Sequence, residues 1–164
     1  MLDLIKKRRS IRQYTDESVS DAAVRALLEA AMAAPSADNL QPWEFVVVRD
    51  QNLRRRLAQT HPWSRMCARA PVVFVVCGHE DRSAHWVEDT SAATENLLLA
   101  AAGLGLGAVW VGVYPNQQSE AHVRQVLGIP QSLRVLCLVP VGHPAESKPP
   151  RTQYDERKVH YDQY

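Results

Sequence analysis

The run PVVFVVCG at residues 71–78 restricts the fold more than any other stretch. Four valines flank one phenylalanine with no polar residue among them, and Gly78 closes the run. β-Branched and aromatic side chains favour the pleated strand, and an unbroken apolar run of this length reads as a buried strand. RVLCLVPVG (134–142), WEFVVV (43–48) and AVWVGV (108–113) read as three further strands.

Helical patterns separate these strands. In SDAAVRALLEAAMAA (20–34), Val24, Leu27, Leu28 and Ala31 fall on one face. Ser18 or Ser20 caps its start and Pro35 stops it. QNLRRRLAQT (51–60) is a short helix with a basic outer face. SAHWVEDTSAATENLLLAAA (83–102) is the longest, and its small, apolar second half suits a central helix packed on several sides. SEAHVRQVLG (119–128) is stopped by Gly128 and Pro130. Such an order of elements by default suggests an α/β domain with a parallel sheet, although periodicity says nothing of strand direction.

The last 22 residues, HPAESKPPRTQYDERKVHYDQY, are polar, Pro-rich at first and tyrosine-rich later. They cannot build a core of their own, so they are disordered or lie on another surface. The domain is therefore expected over 1–142 with a tail at 143–164. The 164 residues suffice for one domain with a sizeable core.

Composition excludes several functions. The net charge is +1, so no global field draws the chain to nucleic acid or to an anionic membrane. No apolar run approaches the roughly 20 residues that span a bilayer. The start MLDLIKKRRS places charge after its apolar residues, unlike a secretory signal. Cys67, Cys77 and Cys137 form no C-x-x-C pair, which argues against a disulfide framework or structural zinc and suits the reducing cytoplasm. The six histidines are scattered and point to no metal.

Three stretches carry chemistry. KKRRSIRQYTD (6–16) gathers five cations into seven residues around Ser10. A solvated helix end, a nucleic-acid arm and a phosphate site are all open readings. The third rests on guanidinium forks and a hydroxyl that match phosphate oxygens, supplied by Arg8, Arg9, Ser10 and Arg12. In APSADNLQPWEFVVV (34–48), a loop bearing Ser36, Asp38, Asn39 and Gln41 joins a helix to a strand. Turn chemistry accounts for most of it, but an amide beside Trp43 also suits a heteroaromatic edge. In GLGLGAVWVGV (103–113), the glycines follow a helix and open a strand, the reverse of a dinucleotide fingerprint, so they read as a helix end and a tight turn. Gly112, inside the apolar strand, marks close approach of another group to the backbone.

Together with VGHPAESKPP (141–150), the motifs RRSIRQY (8–14), PSADNLQPWEFVVV (35–48) and GLGLGAVWVGV (103–113) resemble, in this order, the FMN-dependent nitroreductase family in its compact branch. The resemblance covers nearly the whole chain. It implies an α+β fold, a three-layer α/β/α sandwich with a mixed, mostly antiparallel sheet, and so displaces the parallel default. It further implies an intertwined homodimer with FMN at the interface and a C-terminal tail embracing the partner.

The resemblance also implies residue roles. Arg8, Arg9, Ser10 and Arg12 hold the FMN phosphate and ribityl chain, with Arg12 or a neighbour near the pyrimidine end of the ring. Pro35, Ser36 and Asn39, with Gln41 beside them, come from the other subunit. Val111 and Gly112 bring backbone N–H to the N5 region of the flavin. Lys148 and Arg151 add charge at the phosphate. No side chain is assigned as catalytic, because the flavin carries the chemistry. NADH or NADPH donates, and a small aromatic or quinone-like acceptor follows by a ping-pong scheme. A flavin-binding or flavin-modifying protein of the same fold, without reductase activity, is the rival. Two departures stand out. Gln153 occupies a place where many members have arginine, and HPWSRMCARAP (61–71) lacks the polar pair that larger members set against the pyrimidine edge. Trp63 and Arg65 then fall to the substrate pocket, or Trp63 to the core.

Overall fold

The computed structural model describes residues 1–164. Its five helices are α1 (Leu2–Lys7), α2 (Asp21–Met32), α3 (Gln51–Leu57), α4 (Trp86–Gly103) and α5 (Gln117–Leu127). Its five strands are β1 (Trp43–Val48), β2 (Val72–Gly78), β3 (Gly107–Ala108), β4 (Val111–Gly112) and β5 (Arg134–Gly142). The sheet runs β1-β2-β5-β3, β4 also pairs with β5, and every pair is antiparallel. The parallel default is thus corrected, and the antiparallel expectation holds.

The unbroken run of β2 is explained by cover on both faces. Val72, Phe74 and Val76 pack with α2 and α4, whereas Val73, Val75 and Cys77 pack with α3 and α5. All six are fully buried. The strand's period of two therefore sorts residues between two helix layers instead of between core and water. One bulge adjusts this sheet. Val76 stands opposite Cys137 and Cys77 opposite Val135, which leaves Leu136 as the extra residue. Its carbonyl accepts the N–H groups of Val113 and Tyr114, each at 3.0 Å.

The segment expected as one strand over 108–113 is two short strands. The register is continuous, since Ala108 faces Val141 and Val111 faces Leu138. That places Val109 opposite Pro140. Proline has no N–H to donate, so the ladder lapses across Val109 and Trp110.

Local signals explain the helix ends. Ser20, not Ser18, caps α2, its side chain accepting the Ala23 N–H at 3.1 Å. Gly128 ends α5 at φ +69°. Gly105 takes φ +73° in the turn after α4. Gly107 is needed for space: a Cβ there would lie 2.6 Å from Ile11 Cγ2. Helix α1 ends in exposed Lys6 and Lys7, the solvated helix end that was one reading of this run, and it buries none of its residues.

After α1 the chain runs extended across the end of the sheet. Ser10 bridges to Ala108 and Tyr14 to Pro144. Ile11 N–H donates to the Ala108 carbonyl at 3.0 Å, and Thr15 N–H to His143 at 2.9 Å. Arg8 to Arg12 are thereby strung along β3. The chain beyond β5 returns beside them: Ala145 N–H donates to Gln13 and Arg151 N–H to Lys6. Residues 143–151 thus lie on their own domain, and 152–164 are almost wholly exposed.

Candidate functional site

A cavity of about 720 Å³ opens at β4. Its floor is Trp110, Val111 and Gly112; the turn holding His61, Trp63 and Arg65 forms one wall, and Arg12 reaches in from the N-terminal segment. Two guanidinium groups line it and no carboxylate does. A Cβ built on Gly112 would meet no atom within 4 Å. Because Val113 N–H bonds to β5, strand alternation turns the polar groups of Gly112 the other way. Its carbonyl meets His61 Nε2 at 2.9 Å. Gly112 therefore offers bare, outward-facing backbone to whatever enters.

Arg8, Arg9 and Lys148 line a neighbouring hollow of about 230 Å³. Arg8 Nε lies 3.3 Å from Glu95, and Arg9 donates to the Pro149 carbonyl. Partial burial pushes the Glu95 carboxyl up, and Arg8 opposes that. Lys148 Nζ donates to the Ser10 carbonyl at 2.5 Å and lies 3.2 Å from Glu146. Glu146 accepts the Arg12 N–H at 2.6 Å, which, with Lys148, holds its carboxyl below the usual range. Ser10 joins the two hollows: its carbonyl also lies 3.5 Å from the Arg12 guanidinium. Arg151 is anchored through its backbone, with its side chain in solvent.

Pro35, Ser36, Asn39 and Gln41 line neither cavity. They form a tight loop of their own. Ser36 Oγ accepts the Gln41 N–H at 3.0 Å, and Gln41 Nε2 donates to Asn39 Oδ1 at 3.0 Å. Asp38, Asn39 and Gln41 have φ of 50°, 54° and 48°. Asp and Asn take this left-handed region readily; Gln41 does so at a cost of order 1 kcal/mol. Buried Asp89 holds the loop to α4, accepting the Ala37 N–H at 2.9 Å and the Ser83 hydroxyl at 2.9 Å.

The sequence-predicted residues therefore sort into three groups: Arg8, Arg9 and Lys148; Arg12, Val111 and Gly112; and the remote loop. Trp63 is 80% exposed, which excludes a core role. Sequence reasoning missed His61, Asp89 and Glu146. None of the three left a signal in the sequence: Asp89 sits beside Glu88 in the polar first half of its helix. Cys77 and Cys137 are fully buried, and burial pushes the Cys77 thiol up to about 12.

The chain matches the profile of the Nitroreductase family over residues 5–64 and 58–143. It is 44% identical to a protein of Archaeoglobus fulgidus provisionally named NADH dehydrogenase/NAD(P)H nitroreductase, covering 90% of this chain and 87% of the relative. An FMN-dependent nitroreductase from Clostridium difficile superposes with a TM-score of 0.96 at 31% identity, covering all of both chains. The NADPH:FMN oxidoreductase of Vibrio harveyi, solved with NAD+, superposes at 0.88 with 28% identity, covering 99% of this chain and 77% of that one. Profile, sequence and fold agree with the open backbone at Gly112 and the arginine-lined approach to it: the chain belongs to the nitroreductase family.

Proposed function

We propose that this chain is an FMN-dependent oxidoreductase that takes reducing equivalents from NADH or NADPH and passes them to a small aromatic or quinone-like acceptor. The observation that carries the reading is the bare backbone of Gly112 at the floor of a cavity whose charged lining on this subunit, Arg12 and Arg65, is wholly cationic. A planar, polyanionic cofactor needs both features, and the residues present fit it. When bound, FMN supplies the hydride-transfer chemistry.

The chain's own residues bind and orient it. Arg8, Arg9, the Ser10 hydroxyl, Lys148 and Arg151 hold the phosphate and the ribityl chain. Arg12 faces the pyrimidine end, where a cation favours the charge that reduction brings. Val111 and Gly112 form the surface against the ring, and the Gly112 N–H serves as the donor there. Donor and acceptor use the same open face in turn, since no separate nucleotide fingerprint exists.

The site is completed by a second copy of the chain. Pro35, Ser36, Asn39 and Gln41 lie away from the arginines of their own subunit and cover those of the partner. Residues 152–164 embrace the partner subunit. Met1 and Leu2 at the start of α1, 88% and 74% exposed, are apolar surface that such a homodimer covers. The acceptor is a small molecule, not nucleic acid or membrane; no helix is long and apolar enough to cross a bilayer. The working compartment is the cytoplasm.

Initial-rate kinetics of the FMN-loaded protein with NADH and 1,4-benzoquinone test the scheme. Parallel double-reciprocal lines are expected. Intersecting lines, or no turnover with either NADH or NADPH, would overturn it.

A further inference from the structure

The turn that carries Trp63 and Arg65 is joined to the cavity floor by one side chain. His61 Nδ1 accepts the backbone N–H of Trp63 at 3.2 Å, and His61 Nε2 meets the Gly112 carbonyl at 2.9 Å. An amide N–H at Nδ1 requires a lone pair there. A carbonyl at Nε2 requires a proton there. Only the neutral ring with its proton on Nε2 satisfies both.

The turn is otherwise wound on itself and held to the end of α3, where Ser64 Oγ lies 3.0 Å from the Ala58 carbonyl. Buried Ser64 accepts the His61 N–H at 3.1 Å and donates to the His61 carbonyl at 2.7 Å. Cys67 N–H donates to the Ser64 carbonyl at 2.9 Å. No other hydrogen bond joins residues 61–66 to β4. Trp63 itself has no packed position, being 80% exposed at the rim. The base of the turn is fixed by Ser64 and Cys67, and across the cavity the imidazole of His61 is its one hydrogen-bonded link to Gly112.

We propose that His61, as the neutral Nε2–H tautomer, is a positioning residue that fixes the rim bearing Trp63 against the Gly112 peptide, and so sets the slot into which a planar acceptor slides. The inference rests on the function proposed above, because the slot matters only if Gly112 lies under the cofactor. His61 touches neither reactant. It acts through Trp63, whose indole stacks on the acceptor's free face, and through the carbonyl of Gly112.

The test has two arms. Nitrogen-15 NMR of the protein without flavin reports the His61 tautomer directly. Protonated Nε2 with bare Nδ1 is expected; the reverse pattern, or two protonated nitrogens at pH 7.5, overturns the inference whatever the cofactor proves to be. The second arm uses FMN-loaded protein with NADH and 1,4-benzoquinone. His61→Phe removes both hydrogen bonds at similar volume and should raise the KM for the quinone about tenfold, with kcat and FMN affinity within about twofold. His61→Gln keeps an N–H near the Nε2 position and should recover most of that KM. An unchanged KM in His61→Phe, or loss of FMN along with it, would contradict the assignment. Should His61→Phe fail to fold, His61→Asn, whose amide falls short of Gly112, must show the same rise in KM or the inference fails. Wild-type protein that takes up no FMN would sink the proposed function and the slot with it, and the tautomer arm tells that failure apart from a misassigned His61.

Discussion

Two glycines five residues apart predict opposite outcomes. A Cβ on Gly112 meets nothing within 4 Å, whereas one on Gly107 lies 2.6 Å from Ile11 Cγ2 and 2.8 Å from Ile11 Cβ. Neither residue has a positive φ, so backbone strain does not enter. Gly112→Val places a strand-favouring side chain in open space, and stability should change by no more than about 1 kcal/mol. The same side chain occupies the surface proposed to face the flavin. It costs one hydrogen bond, about 0.5–1.5 kcal/mol, and a steric displacement of about 1–3 kcal/mol. FMN affinity should fall about 10- to 1600-fold, at 1.4 kcal/mol for each factor of ten. Gly107→Val overpacks the junction of β3 with the N-terminal segment, losing about 1–3 kcal/mol of stability. Urea unfolding followed by circular dichroism gives the stabilities, and quenching of FMN fluorescence gives the affinities. A Gly112→Val protein as unstable as Gly107→Val would make Gly112 structural. One that binds FMN like wild type would remove the cavity floor from the cofactor site.

Other consequences are as open to measurement. Burial raises the Glu120 carboxyl, but hydrogen bonds from Arg134, the Val135 N–H and Arg124 outweigh it and leave it below its ordinary 4.5. A carboxyl depressed in the folded state adds stability above the unfolded value and loses it as pH falls through the folded one. Acid unfolding should therefore steepen below about pH 4.5. Glu120→Gln should flatten that dependence while costing stability at pH 7, and an unchanged acid profile would contradict the reasoning. Asp89→Ala strands the Ala37 N–H and the Ser83 hydroxyl. It should cost about 1–3 kcal/mol and speed hydrogen exchange at Ala37, and unaltered exchange would free the loop from this anchor. Burial pushes the thiols of Cys67 and Cys77 up to about 12. Ellman's reagent should label no cysteine in the native protein at pH 8 and all three, Cys67, Cys77 and Cys137, after unfolding. Rapid native labelling would show that these sites open.

Strands built from unbroken apolar runs were legible because their chemistry is local. β1 and β5 begin and end where composition placed them, since β-branched runs need no distant partner to identify them. The break in AVWVGV was not read, although Pro140 held the cause. A missing N–H in one strand silences its neighbour, and the pairing must be known first. Strand direction likewise lay outside any periodicity. The arginine cluster was visible as a charge run, but its division between two hollows was not. That division comes from the Ser10–Ala108 bridge and from the return of residues 143–151. His61 offered no signal at all, because its role rests on a carbonyl 51 residues away. Asp89 and the loop at 35–41 show the same limit: a tether across 52 residues connects two stretches that each look ordinary alone.

The central claim is that this fold binds FMN and reduces it with a nicotinamide nucleotide. Anaerobic titration of the FMN-loaded protein with NADH, then with NADPH, measures it directly through the flavin absorbance. The account predicts bleaching by at least one donor, complete near one equivalent per flavin, and return of the yellow colour on adding 1,4-benzoquinone. Protein that takes up no FMN, or that stays yellow with both donors, would contradict it.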